Sequence, residues 1–311
     1  METKQFGNTD MKITRTGFGA WAIGGGNWEY AWGPQDDGEA IAAIRRAIDN
    51  GMNWIDTAAV YGLGHSEELV GKALKGMSKK PYVFTKCGLV WDDKRNVTKK
   101  LKAESIRIEC EASLRRLNID AIDLYQVHWP EDADLEEAWE MMETLRLEGK
   151  VRYIGVSNYN IEQISKSMKI APVSTLQPPY SLINRDYEKE ILPFCNENGM
   201  GVIVYSPMGS GLLTGAMTRE RIAAMPSDDW RKNSSHFQEP ALTRNLALVE
   251  KLKSIGKKYG HSAGEVAIAW TLRNPAVTAA IVGGRSAAQV DGISHAWNIK
   301  LTGEDLAEIE S

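Results

Sequence analysis

The chain predicts an α/β fold, and within that class a (β/α)8 (TIM) barrel, on three observations. Eight short runs, mostly apolar on both faces, alternate with amphipathic helical patterns. Glycines stand just past several helical patterns, where a left-handed cap residue is expected. The length of 311 residues suits one such barrel, so residues 1–311 are read as a single domain.

The expected strands are 17–21, 52–56, 82–86, 122–128, 151–156, 173–177, 201–205 and 279–282. Parallel strands buried on both faces read as short apolar runs of this kind. Helices are expected at 41–48, where Ile41, Ile44 and Ile48 share a face, and at 106–117 and 135–147. Gly51, Gly149 and Gly199 each sit just past a helix candidate, where a stop is expected. A doubly wound sheet would want a glycine-rich phosphate turn after its first strand, and GGGN at 24–27 lacks that spacing. Residues 3–15 read as a small hairpin with its turn near Asn8-Thr9-Asp10, and 206–240 as a long functional loop.

Composition excludes several classes. Net charge is −4 and the pI about 5.9, so no basic footprint argues for nucleic acid. No apolar run reaches the length of a membrane span. Cys87, Cys110 and Cys195 are odd in number and far apart, which suggests neither a disulfide framework nor a metal site and fits a cytoplasmic protein. Several of the tryptophans fall in loop-like segments, among them Trp28, Trp32, Trp91, Trp129 and Trp230.

In such a barrel, chemistry sits at the C-terminal strand ends. Those ends carry Asp56, Lys86, His128, Gln177, Tyr205-Ser206 and Gly283-Gly284-Arg285, with Ser157-Asn158 after strand five and Tyr61 on the loop above Asp56. A free phenol titrates near about 10, and a nearby ammonium is expected to lower that value while Asp56 orients the lysine. A histidine can polarise a carbonyl oxygen. The four suit protonation of a carbonyl oxygen as hydride reaches carbon. Taken singly, Lys86 with Asp56 reads as well as a structural ion pair, and Tyr61 as packing.

The segments GFGAW, WIDTAAVYGLGHSEELVG, YVFTKCG, DLYQVHWP, GKVRYIGVSNY, LQPPYSLINR, YSPMGSGLLTG and IVGGRSAAQV, in this order, resemble the aldo-keto reductase superfamily from end to end. The spellings WGPQDD and PYSLINR look most like its bacterial general stress and myo-inositol-utilisation reductases. The resemblance implies a hairpin closing the barrel bottom and a tetrad of Asp56, Tyr61, Lys86 and His128 with Tyr61 as proton donor. It implies NADPH bound across the barrel mouth and a small carbonyl compound as substrate. Ser157, Asn158 and Gln177 would hold the carboxamide and Tyr205 would stack on the nicotinamide. Ser206, Pro207, Met208 and Gly209, with Gly211, would line the ribose and pyrophosphate. Gly283, Arg285 and Gln289 would hold the adenosine end, and Ala20, Trp21 and Asp56 complete the contacts. A guanidinium forks onto a 2′-phosphate, so Arg285 favours NADPH.

Two positions depart from the resemblance: Ala216 stands where relatives place a basic residue, and Gly292-Ile293 where they place an adenine clasp. The last helix pattern ends close to Ser311, so the rim is expected from 24–33, 88–96, 129–132 and 209–240. Trp21, Trp28, Trp32, Trp91 and Trp129, with Tyr30, are the expected aromatic wall of the substrate pocket. His65 is read as part of a helix start with acids in the first turn. Two rivals stand: a Schiff-base lyase using Lys86, and a binding partner similar to potassium-channel β subunits.

Overall fold

A computed structural model describes residues 1–226 and 229–311; Ser227 and Asp228, within the expected long loop, lie outside the described residues. The chain begins with a hairpin, β1 (Thr3–Gln5) and β2 (Lys12–Thr14). Its loop buries Phe6 and Met11, and β2 buries Ile13, against the lower barrel interior. Phe6 stacks on Phe84 with ring centroids 5.7 Å apart. Deleting such a ring costs about 3–5 kcal/mol.

Among the described residues, eight parallel strands close the barrel: β3 (Thr16–Gly19), β4 (Trp54–Asp56), β5 (Tyr82–Cys87), β8 (Ile122–Val127), β9 (Val151–Ser157), β10 (Thr175–Gln177), β11 (Gly201–Val204) and β12 (Ala279–Val282). A second small hairpin, β6 (Leu89–Trp91) and β7 (Val97–Lys99), stands on the loop after β5. The helices are α1 (Asp37–Asp49), α2 (His65–Leu74), α3 (Ala103–Leu117), α4 (Leu135–Leu147), α5 (Ile161–Met168), α6 (Ile191–Glu197), α7 (Arg219–Ala223), α8 (Ala241–Tyr259), α9 (Ala263–Leu272), α10 (Ala287–Asp291) and α11 (Gly303–Glu310). Their starts are chemically marked: Asn160–Gln163, Ser262–Glu265 and Thr302–Asp305 each form a reciprocal capping box. No described helix is long and apolar enough to cross a membrane.

Several strand ends differ from expectation. The first strand stops at Gly19, and Trp21–Ile23 form a single 3-10 turn instead. The strands expected from 52 and 173 begin at Trp54 and Thr175. Gly51, Gly149 and Gly199 do adopt left-handed backbone, with φ of 95°, 76° and 64°.

Period two along the strands builds the site's floor. Trp54, Phe84 and Leu124 form an apolar layer inside the barrel. Two residues further along the same strands stand Asp56, Lys86 and Gln126, all buried. The register places Asp56 beside Phe84, and Lys86 beside Gln126. Gly17 is needed for this packing, because a Cβ there would lie 2.0 Å from the Trp54 ring.

Candidate active site

The link from β4 to α2 carries Tyr61 on consecutive turns: its N–H donates to the Ala58 carbonyl at 3.1 Å. The neighbouring Gly62 lies against the first βα loop so closely that a Cβ would stand 2.0 Å from the Gly24 oxygen. A side chain at 62 would push Tyr61 out of register. α2 begins at His65 after Gly64, with no side-chain cap. His65 pairs instead with Asp37 at 2.8 Å, and Glu67 turns inward to Thr85 and Arg116.

Lys86, with a fully buried side chain, donates to Asp56 Oδ1 at 2.6 Å, to the Thr57 carbonyl at 2.9 Å and to the Tyr61 hydroxyl at 3.4 Å. The His128 ring meets the Tyr61 ring edge-on at 5.7 Å. The four expected residues therefore converge. Asp56 Oδ2 accepts from Gln177 Nε2 at 2.8 Å.

Electrostatics at Tyr61 run opposite to expectation. Its pKa is pushed well above the ordinary phenol value, first by burial and then by the charges of Asp56 and Tyr205. Burial and the Asp56 carboxylate outweigh the Lys86 ammonium, which is shared between Asp56 at 2.6 Å and the Tyr61 hydroxyl at 3.4 Å. Lys86 itself is lowered, burial outweighing the opposing pull of Asp56. His128 is held well below the ordinary imidazole value by burial and by Lys86, so its ring is neutral near pH 7.

Around this centre lie the polar strand ends. The Ser157 hydroxyl donates to the Gln177 carbonyl at 2.8 Å, and Asn158 Nδ2 to the His128 carbonyl at 3.0 Å. Tyr205 donates through its hydroxyl to Asn158 Oδ1 at 2.9 Å. The turn after β11 holds Ser206, Gly209, Ser210 and Gly211 at positive φ, closed by Gly209 N–H to the Ser206 carbonyl and Gly211 N–H to that of Met208. Non-glycine residues in that region are uncommon and gather at functional turns. Pro207 lies in the same turn, and Met208 packs its sulfur near Gly264.

Arg285 is tied to the loop after the first barrel strand. Its guanidinium donates to Gln35 Oε1 at 2.7 Å, to the Trp32 carbonyl at 3.0 Å and to the Pro34 carbonyl. Gln289 turns its Oε1 to the Arg285 N–H at 2.9 Å. Gly283 follows β12 directly, and Ala20 is buried after β3 with its N–H donated to the Asp56 carbonyl at 2.8 Å. Gly292 caps α10. At Ala216 a basic group arrives by another route, since Arg221 donates to its carbonyl at 3.2 Å.

Three of the five wall tryptophans gather. Trp21 stacks on Tyr61 at 6.1 Å and meets Trp32 edge-on at 5.5 Å, while Trp28 lies 6.3 Å from Tyr61. Tyr30 packs edge-on to Trp28 at 6.0 Å. Trp91 and Trp129 stand apart from this cluster: neither joins these ring contacts among the described residues, and Trp129 is 42% exposed. One is carried off on β6, the other lies just beyond His128 at the loop surface. Trp230, left out of the expected wall, takes a place in it: it stacks on Trp21 at 5.6 Å and meets Trp32 at 6.1 Å. Arg231 lies 4.4 Å over Trp32.

The profile of the aldo/keto reductase family matches residues 15–311. The chain belongs to the aldo/keto reductase family. It is thus an oxidoreductase acting on carbonyl compounds with a nicotinamide cofactor. It is 39% identical to aldo-keto reductase YhdN of Bacillus subtilis over 100% of this chain and 93% of that protein. It is 36% identical to the NADH-specific methylglyoxal reductase of Escherichia coli, over 98% and 96%. Among solved structures, the glycerol dehydrogenase of Gluconobacter oxydans superposes with a TM-score of 0.90 at 39% identity, covering 99% of this chain and 94% of that one. An aldo/keto reductase of Klebsiella pneumoniae in complex with NADP and acetate gives 0.75 at 28%, over 99% and 94%.

Proposed function

We propose that this aldo/keto reductase is an NADPH-dependent reductase of small aldehydes and ketones in which Tyr61 delivers the proton. The observation that carries the reading is the buried contact of Lys86 with Asp56 at 2.6 Å and with the Tyr61 hydroxyl at 3.4 Å.

The residues at the mouth suit a nicotinamide dinucleotide. The three groups that Arg285 contacts are neutral acceptors, and no ion pair within 4 Å engages it among the described residues. That fits an anionic phosphate, and the amides of Asn158 and Gln177 fit a carboxamide. When bound, the reduced nicotinamide supplies a hydride to the carbonyl carbon. The neutral His128 ring donates an N–H to the carbonyl oxygen and polarises it. Tyr61, fully protonated because its pKa is raised, holds its proton until the oxygen gains alkoxide character, then gives it up. The phenolate left behind is stabilised by Lys86, whose charge Asp56 keeps in place. Trp21, Trp28, Trp32 and Trp230 keep water from the reacting carbon and fit an apolar substrate face.

The cofactor choice is a matter of degree. Arg285 supports NADPH, although its guanidinium also ties down residues 32–35. No observation favours the lyase reading: the three acceptors around Lys86 Nζ account for an ammonium's three N–H bonds. The test is a titration with NADPH and NADH, following tryptophan fluorescence, and then an aldehyde panel. Tight NADPH binding with turnover of apolar aldehydes supports the reading. Binding of neither nucleotide sinks it.

A further inference from the structure

Asp56 has two oxygens and the tetrad uses one. Oδ1 takes the Lys86 ammonium at 2.6 Å. Oδ2 faces two amides, Gln177 Nε2 at 2.8 Å and Gln126 Nε2 at 3.5 Å. A carboxylate oxygen only accepts, so both amides must turn their NH2 toward it. Gln177 Nε2 also meets Gln126 Oε1 at 3.4 Å. Each amide is thereby oriented by the other and by Asp56, and Gln177 Oε1 is left with no hydrogen bond among the described residues.

Gln126 is the penultimate residue of β8, fully buried, paired in register with Lys86 on β5. It sits above Leu124 in the barrel interior, where an apolar residue would pack as well. A buried amide in that dry layer is costly unless its partners need it. Asp56 and Gln177 are the partners on hand.

We propose that Gln126 is a positioning residue of the tetrad, which together with Gln177 fixes the Asp56 carboxylate against Lys86. The proposal rests on the reductase reading above and deepens it. Gln126 acts through Asp56 on the Lys86–Tyr61 pair, and through Gln177 on the amide offered to the cofactor. Loss of Gln126 lets the carboxylate rotate, so Lys86 stabilises the Tyr61 phenolate less well.

The test uses Gln126→Leu and Gln126→Glu in the full chain, with nucleotide Kd from tryptophan fluorescence alongside kcat. Gln126→Leu is expected to lower kcat about tenfold, the scale typical of residues that orient a reacting centre from behind, with NADPH Kd changed less than about threefold. Gln126→Glu keeps the size and guards against a Leu variant that fails to fold. Beside Asp56 in a buried layer its carboxyl is raised, and when protonated it donates to Asp56 as the amide did. Activity of Gln126→Glu should therefore stand near wild type at low pH and fall as pH rises through a pKa that the wild type lacks. Wild-type kcat in Gln126→Leu, equal losses in kcat and Kd, or a Gln126→Glu profile parallel to wild type would each overturn the proposal. Wild-type kcat in Tyr61→Phe would instead overturn the reductase reading beneath it.

Discussion

The Arg285 guanidinium donates to the Trp32 carbonyl at 3.0 Å, joining the loop after the last barrel strand to the loop after the first. Trp32 in turn meets Trp21, which stacks on Tyr61. The arginine proposed to meet a phosphate is therefore also a fastener of the aromatic wall.

Arg285→Ala should raise the NADPH Kd about tenfold or more, as expected for a charge-assisted contact, and the NADH Kd much less. Fluorescence titration with both nucleotides reads the ratio. Equal losses would assign Arg285 to the loop alone.

Tyr61→Phe should lower kcat by about 10²–10⁴, the span of a lost general acid. Nucleotide Kd should stay within about twofold, because the ring and its stacking on Trp21 remain. Retention of wild-type kcat would remove the assigned role.

Lys86→Met strands the buried Asp56 carboxylate. Breaking a buried pair by removing one partner costs about 3–5 kcal/mol. Urea unfolding should show that loss, and adding Asp56→Asn should recover part of it. A double variant as unstable as the sum of the singles would show that the pair is not coupled in this way.

Glu109 supplies a pH signature. Burial pushes its carboxyl from 4.5 up to about 7, although it accepts from the Gly88 N–H at 2.9 Å. The folded chain keeps the proton to about 7 while the unfolded chain releases it near 4.5. This group's contribution is present below the unfolded value and is lost as pH rises through about 7. Glu109→Gln keeps the acceptor and removes the titration. Urea midpoints at pH 5.5 and pH 8 should show wild type losing ground to the variant on going to the higher value. A difference that stays constant would count against it.

The barrel was legible because buried parallel strands advertise themselves as short apolar runs, and because Gly51, Gly149 and Gly199 sit where the chain must turn left-handed. The convergence of Asp56, Lys86 and His128 was legible from strand-end position, and that of Tyr61 from its place on the loop above Asp56. Gln126 was not legible, although it shares strand parity with Leu124 and His128, because its partners Asp56 and Gln177 stand on other strands and only the closed barrel brings them together. Trp230 was visible as a loop tryptophan, but its stacking depends on how a long loop folds back, which no periodicity encodes. Tyr61's raised pKa was misjudged for a different reason. Charge type can be read from sequence; the burial that outweighs the Lys86 ammonium cannot.

The hairpin that carries Phe6, Met11 and Ile13 also governs traffic. With the hairpin and the apolar layer filling the floor, the polar strand ends are approached from the C-terminal rim. On the proposed reading, a nucleotide held by the strand-end residues would lie beneath the carbonyl compound, arriving before it and leaving after the alcohol. Turnover is then a queue. Its pace at high substrate is set by the last to depart, so contacts that tighten the cofactor, such as those of Arg285, lengthen the wait even as they secure the chemistry.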